Sequence, residues 1–354
     1  MTEIENFLNN RLNKNKSPSI QYSFFNQENI VYNFCGGYSD FLNKKKINDN
    51  TTYNAYSVTK TFTALAILQL AEDGKLKIDD TVIKYLPDFV YRSEITIRQL
   101  LSHSAGLPNP IPLAWIHLEN EHSDFDRNAF FKKIFKKHNK KIAYPNDKFA
   151  YSNLGYVLLG QVIEKIAGLT YENYIQNNIL QPLNLQSKDL GFEIYDDNLH
   201  AKGYQWKISV LNFMLGFFIN KSKFMNPAEG SWKPFKNNYV NGAPYGGLIG
   251  NHSAFIKYIQ ELLNPNCKLL SEEYKKMLFV ENLTNKNDHT GMCLSWFKGE
   301  LNGQEYFTHA GGGGGYYCEI RIYPDLNLGS VIMFNRSGIR DERFLDKLDK
   351  YFMP

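Results

Sequence analysis

Ser57-Val58-Thr59-Lys60 heads a long apolar run, Thr61-Phe62-Thr63-Ala64-Leu65-Ala66-Ile67-Leu68-Gln69-Leu70, and its reading decides the fold. The spacing predicts a helix that stops at Gly74. A helix turns once in ~3.6 residues, so Ser57 and Lys60 project from one face. A serine hydroxyl is a poor nucleophile until a base takes its proton. A partly buried lysine can have a pKa low enough to serve as that base. The helix start adds the positive end of the peptide dipole, which favours charge developing on an attacked carbonyl.

Outward from this run, Ile20 to Phe25 and Ile30 to Phe34 alternate apolar and polar residues around Asn26-Gln27-Glu28-Asn29. They read as a β-hairpin closed by Gly36-Gly37. From Thr96 to about Tyr174 the period is helical, over Ile97 to Ser102, Asn128 to His138, and Asn153 to Ile166, which Gly168 ends. Another helix spans Ser253 to Leu263. Strands return over Tyr306 to His309, Tyr316 to Tyr323 and Ser330 to Phe334, and a last amphipathic helix runs from about Asp341 to Tyr351. Strands at both ends and helices between them predict an α+β protein, one antiparallel sheet flanked by helices and built from the two termini. Residues 1–90 and 240–354 would form the sheet lobe, and residues 91–239 a mainly helical inserted lobe, in one catalytic unit.

With 354 residues, 43% of them hydrophobic, the chain can bury a large core. The net charge of +4 is spread along the chain and does not argue for nucleic acid. The densest basic run, Lys132, Lys133, Lys136, Lys137, Lys140 and Lys141, alternates with Phe130, Phe131, Ile134 and Phe135, as on the wet face of an amphipathic helix. The most apolar stretch, Val210 to Ile219, is too short for the ~20 residues a bilayer span needs. It reads as a buried helix or a greasy wall over a pocket. Membrane association is not expected, although this stretch and the lysine face leave it as a third reading. The start of the chain shows no basic-then-apolar leader, which points to the cytoplasm. Cys35, Cys267, Cys293 and Cys318 are isolated, so free thiols are expected, with Cys35 and Cys318 filling core positions. His117 and His122 are five apart and would leave a common helical face, so no metal and no cofactor is expected.

Three further segments carry chemistry. Tyr151-Ser152-Asn153 precedes an apolar helix; its phenol can act as acid or base, and Asn153 can donate to a substrate carbonyl and orient a lysine. In isolation the tripeptide is ordinary packing and an N-cap. His309-Ala310-Gly311 runs into Gly312 to Gly315, which lets a backbone approach a ligand; a P-loop is excluded because no Gly-Lys-Ser/Thr follows. The plain alternative is a flexible hairpin. Leu100-Leu101-Ser102-His103-Ser104-Ala105-Gly106-Leu107 holds His103, read as a turn histidine bonding its own loop rather than a base.

Taken in order, these landmarks resemble the serine β-lactamase/penicillin-binding-protein superfamily, in its class C β-lactamase, D-alanyl-D-alanine carboxypeptidase and family VIII esterase branch. Ser57 to Lys60 resembles its first motif. Gly74 to Asp80 with Tyr85-Leu86-Pro87, Leu100 to Leu107, Phe149 to Tyr156 and Gly246-Gly247-Leu248 match its later blocks. His309-Ala310-Gly311 stands where others have Lys-Thr-Gly. The resemblance implies the β-lactamase/transpeptidase-like fold with a site between the lobes. It implies that Ser57 is acylated and that Lys60 and Tyr151 share the proton transfers. Asn153 would hold substrate and Lys60, His309 and Gly311 would line the pocket, and the N–H groups of Ser57 and Gly312 would form the oxyanion hole.

Several positions depart from the family. His309 and Ala310 replace a lysine and a hydroxyl residue, which weakens carboxylate recognition at neutral pH. Asn146 and Asn184 replace glycines in loops. The extra glycines predict an open or mobile pocket edge, and Trp206 to Tyr239, without a family pattern, should shape the pocket. The expectation is a serine hydrolase of small ester, amide or peptide substrates, with an esterase or D-amino-acid peptidase ahead of a true β-lactamase. A non-catalytic ligand-binding scaffold is the other reading. On oligomeric state the sequence is silent.

Overall fold

The structure, a computed structural model, describes residues 2–110, 114–140, 142–339 and 343–353. Its centre is a seven-stranded antiparallel sheet, assembled from both ends of the chain. β1 (Ser19–Asn26), β2 (Ile30–Asp40) and the short β3 (Lys45–Lys46) come from the N-terminal side. β11 (Phe297–Leu301), β12 (Gln304–Gly313), β13 (Tyr316–Tyr323) and β14 (Leu328–Phe334) come from the C-terminal side, in the order β11-β12-β13-β14-β1-β2-β3. The join is β1 on β14, from Ile20 opposite Phe334 to Asn26 opposite Leu328.

Both faces of the sheet are covered, and the period-2 pattern sorts the side chains between them. Ile20, Tyr22, Phe24, Ile332 and Phe334 pack with Ile4 and Leu8 of α1 (Glu3–Asn13) and with Phe344, Leu345 and Leu348 near α12 (Asp346–Asp349). Val331, Met333, Ile320 and Ile322 face the larger cluster that holds α2 (Thr59–Glu72), α5 (Asn153–Ala167) and α10 (His252–Leu263). That cluster joins residues from both sides of the expected boundaries at 90/91 and 239/240. α3 (Ile97–Leu101), α4 (Arg127–Lys137), α6 (Tyr171–Ile175), α7 (Val210–Leu215), α8 (Lys221–Phe224) and α9 (Ala243–Gly246) lie in the middle of the chain, and α11 (Glu272–Met277) lies beyond them. Small sheets tie this region together: β4 (Thr52–Asn54) with β10 (Ile249–Asn251) and β6 (Leu190–Gly191), β5 (Ile116–Leu118) with β9 (Asn238–Val240), and β7 (Tyr204–Trp206) with β8 (Trp232–Pro234).

Local chemistry explains the element ends. Ser152 caps α5 by accepting from the Gly155 N–H, and Gly168, at φ +67°, ends it. Asn146 and Asn184 sit at φ +61° and +54°, the left-handed region where asparagine is the side chain that best stands in for a glycine.

Several expectations need correction. Gly36-Gly37 does not close the hairpin, because β2 runs on through them to Asp40. Cys35 is exposed on β2, whereas Cys318 is buried. The last helix is only Asp346–Asp349 within turns, and its expected start at Asp341 lies outside the described residues. Val210 to Ile219 is not a buried helix. Only its first six residues are α-helical, and Val210 and Phe213 are 73% and 68% exposed.

α5 and α9 touch where α5 carries Gly160. A β-carbon there would meet Pro244 Cγ at 2.1 Å, so the residue must be glycine for α9 to seat. Gly160→Ala should therefore destabilise the fold by about 1–3 kcal/mol, read as a lowered midpoint in thermal denaturation.

Candidate active site

α2 does not begin at Ser57. Tyr56–Val58 forms a 3-10 turn, and the α-helix starts at Thr59. The turn is reached through Tyr56 at φ +47°, a conformation that costs a non-glycine residue energy and that persists only where the surroundings enforce it. The surroundings are the Gly246–Leu248 segment and the end of β12. The Ala55 N–H donates to the Leu248 carbonyl at 2.9 Å, and the Leu248 N–H donates to Thr59 Oγ1 at 3.0 Å. From the other side Gly311 lies so close that a β-carbon would sit 2.1 Å from the Ala55 carbonyl oxygen and 2.6 Å from the Ser57 nitrogen.

Three side chains converge on this turn. Lys60 Nζ and Tyr151 Oη each lie 3.0 Å from Ser57 Oγ. Lys60 is fully buried, and its Nζ also donates to the Tyr245 carbonyl at 2.7 Å. Burial holds the lysine pKa well below its ordinary value, because the charged form loses its hydration. The Lys60 ammonium position lies 5.0–5.5 Å from the rings of Tyr151, Tyr156 and Tyr245. An amine, a phenol and a hydroxyl thus meet at hydrogen-bond distance.

Asn153 is in the cleft, but its bonds differ from expectation. Its N–H and its Nδ2 both donate to Asn109 Oδ1, at 3.1 and 3.2 Å, and its buried Oδ1 has no hydrogen-bond partner among the described residues. The amide therefore presents an acceptor, and Lys60 is held by Tyr245 instead. His103 is buried beneath this loop. It does not bond its own turn only: its Nδ1 accepts from the Ser152 N–H at 3.1 Å, its carbonyl accepts from the Ala150 N–H at 2.7 Å, and its ring packs on Tyr151 with centroids 4.2 Å apart. It supports the Tyr151 loop from behind.

His309 is fully buried on the floor of the cleft. Its Nδ1 faces the Ser295 carbonyl, which only accepts, so Nδ1 carries the proton and Nε2 is left as an acceptor. Burial, with Lys60 close by, pushes its pKa down to about 3, so the ring is neutral at physiological pH. The glycine run behind it is not loose. β-Carbons at Gly313, Gly314 and Gly315 would meet Tyr56 at 3.0 Å, Tyr56 Oη at 1.9 Å and the Gly203 backbone at 2.2 Å. Only Gly312 has ordinary room, with nothing nearer than 3.6 Å. The expected mobile edge is a packed one that lets Tyr56 hold its turn.

The cleft encloses about 1100 Å³. Trp206, Val210, Leu211, Met214, Leu215, Ile219 and Phe235 are among its lining residues, so the segment from Trp206 to Tyr239 does line it. Sequence reasoning missed Asn109 and the Tyr245 carbonyl. A Pro-Asn-Pro loop offers a weak hint of the first, and a backbone oxygen leaves no trace in sequence. The two histidines set aside as unrelated do meet, outside this cleft. His117 on β5 and His122 in the next turn stack, with Nε2 and Nδ1 2.8 Å apart. Among the described residues no group of three or more metal-ligating side chains gathers.

The sequence pattern of the Beta-lactamase family spans residues 4–351. The chain belongs to that family. Protein flp of Staphylococcus aureus (strain MW2) is 26% identical over 343 residues, covering 94% of this chain and 62% of that protein. The chain thus spans about three fifths of the length of such relatives. The octameric penicillin-binding protein homologue from Pyrococcus abyssi superposes with a TM-score of 0.76 at 24% identity, covering 95% of this chain and 73% of that one. D-amino acid amidase from Ochrobactrum anthropi SV3 gives 0.75 at 18% identity, covering 98% and 95%. These structures share the fold: a large antiparallel sheet with flanking helices.

Two outcomes follow. Gly311→Ala should lower stability by about 1–3 kcal/mol through the clash with Ala55 and Ser57, whereas Gly312→Ala should stay within about 0.5 kcal/mol; thermal melts of both check this. Burial also pushes His200 to about 3 and His252 to about 4, as it does His309. The unfolded chain binds protons at these histidines near pH 6.5 and the folded one does not. Their contribution is therefore complete above pH 6.5 and is lost as the pH falls, by about 1.4 kcal/mol per pH unit for each. Denaturant unfolding between pH 7 and pH 5 should show that loss.

Proposed function

We propose that this chain is a serine hydrolase that passes through an acyl-enzyme on small ester or amide substrates, esterase-like or D-amino-acid-peptidase-like. The observation that carries the reading is the pair of 3.0 Å contacts to Ser57 Oγ, one from a buried lysine of depressed pKa and one from Tyr151. In this reading the neutral Lys60 amine takes the hydroxyl proton as Ser57 attacks the carbonyl carbon. Tyr151 passes a proton to the departing oxygen or nitrogen. The proton on Lys60 moves to Tyr151, which restores the pair. Water then attacks the acyl carbon on Ser57 and gives its proton to that pair, which returns it to Ser57 Oγ as the bond to the acyl group breaks and the acid leaves.

The N–H groups of Ser57 and Gly312 would hold the oxyanion, each worth about 3–4 kcal/mol in comparable sites. Asn153 Oδ1 would accept from an N–H of the substrate, and the lone pair on His309 Nε2 would accept from a second donor. Gly311 brings β12 against the Ser57 turn. The neutrality of His309 favours uncharged esters and amides over a carboxylate at this position, and thereby over a β-lactam. The sheet lobe of residues 1–90 and 240–354 and the inserted lobe of residues 91–239 would each supply part of this set.

Ser57→Ala should abolish p-nitrophenyl ester hydrolysis while the melt is unchanged, since Ala suits the turn. Lys60→Ala and Tyr151→Phe should each lower kcat at least ~100-fold, and neither should add to the loss in Ser57→Ala, because the three act as a unit. Wild-type rates in Ser57→Ala would exclude this nucleophile.

A further inference from the structure

Ile208, Phe213 and Phe217, in and beside α7, do not line the cleft and have no role in the chemistry above; they are 87%, 68% and 70% exposed. Val210, Leu211 and Met214, at the cleft's edge, carry the exposed apolar surface on toward its mouth. Phe213 and Phe217 meet edge to face, 5.5 Å apart, so the apolar surface is continuous there. Its reverse side, with Leu215 and Ile219, joins the small apolar cluster of Phe224, Met225 and Phe235 that walls the cleft. A contiguous exposed apolar patch of this kind marks a contact surface.

Charge identifies what the surface meets. From Asn198 to Ala228 the sequence contains four lysines and no carboxylate. Lys202 pairs with Asp40 and Glu229, and Lys223 with Glu121. No carboxylate partner is recorded among the described residues for Lys207 or Lys221, or for Arg336, which bonds backbone carbonyls. Lys221 folds back along the patch, its Nζ 3.8 Å from where a Gly216 β-carbon would stand. Leu211 Cδ2 and an Arg336 nitrogen both lie within 3.6 Å of the β-carbon position of Gly338, which puts that cation beside α7. Aromatic and aliphatic side chains flanked by Lys207, next to Ile208 in the chain, and by Lys221 suit the boundary of a bilayer with anionic headgroups, whereas Arg336 is held by the backbone carbonyls of Lys16, Ser337 and Gly338. The rings enter the acyl region, and the cations stay at the phosphates.

We infer that the outer face of α7 docks this protein onto an anionic lipid surface, with the mouth of the cleft turned toward it. Membrane association was not expected from the sequence, because Val210 to Ile219 is too short to span. Lying in the interface needs no span. The docking does not depend on the catalytic reading, so Ser57→Ala should bind as wild type does.

The test is sedimentation with vesicles of phosphatidylcholine alone and of phosphatidylcholine and phosphatidylglycerol in equal parts. Wild type should pellet with the anionic vesicles, remain in solution with the neutral ones, and be released by salt. The triple variant Ile208→Ser, Phe213→Ser, Phe217→Ser should bind more than about tenfold less tightly. The variant Lys207→Glu, Lys221→Glu should lose the preference for anionic lipid. Both should hydrolyse a soluble ester at the wild-type rate and melt at the wild-type temperature, which separates loss of docking from loss of fold. Wild type left in solution with anionic vesicles would overturn the inference, as would a triple variant that pellets equally. A dimer in light scattering that the triple variant breaks, with no vesicle binding, would assign the face to a second copy instead.

Discussion

One buried amine organises this molecule. Lys60 Nζ has no contact with solvent and two hydrogen-bond contacts, the Tyr245 carbonyl and Ser57 Oγ. An ammonium buried without a carboxylate is costly, and the cost falls when the group is neutral. The same desolvation that would destabilise a charged lysine is what, in the proposed reading, lets it act as a base. Much of the surrounding structure serves to keep this amine in place. α9 presents the Tyr245 carbonyl, Gly160 lets α9 seat against α5, and α5 starts just after Tyr151.

The second constraint is the strained turn before Ser57. Tyr56 in the left-handed region aims the hydroxyl into the cleft, and the glycines of β12 leave the space its ring needs. β12 is held in the central sheet by β13 from Phe307 opposite Ile322 to Gly313 opposite Tyr316. The sheet itself exists because β1 meets β14. The geometry at Ser57 therefore depends on pairing between the two ends of the chain, which explains why the landmarks are spread over nearly its whole length.

Sequence alone showed the elements whose period is strong. The hairpin of β1 and β2, the helices after Lys60 and Asn153, and β13 all stand close to where alternation or a 3.6-residue period places them. Ser57, Lys60 and Tyr151 were legible as residue types in order, and the structure brings their polar atoms together. What sequence hid is tertiary. The exposure of Val210 and Phe213 contradicts their hydropathy, since nothing local tells an apolar helix whether a partner will cover it. The sequence makes Asn153 a donor to substrate and lysine, but its N–H and Nδ2 both donate to Asn109 Oδ1. The glycine run looked loose because glycine permits motion, whereas here it permits contact. Cys35 followed the strand pattern and still fell on an open face.

The central claim is that the neutral Lys60 amine activates Ser57, and labelling with a fluorophosphonate tests it most directly. Intact-mass and peptide analysis should find one phosphonyl group, on the peptide carrying Ser57, and Lys60→Ala should slow its formation at least ~100-fold. A label on another residue, or one that forms on Ser57 at the same rate without Lys60, would contradict the account.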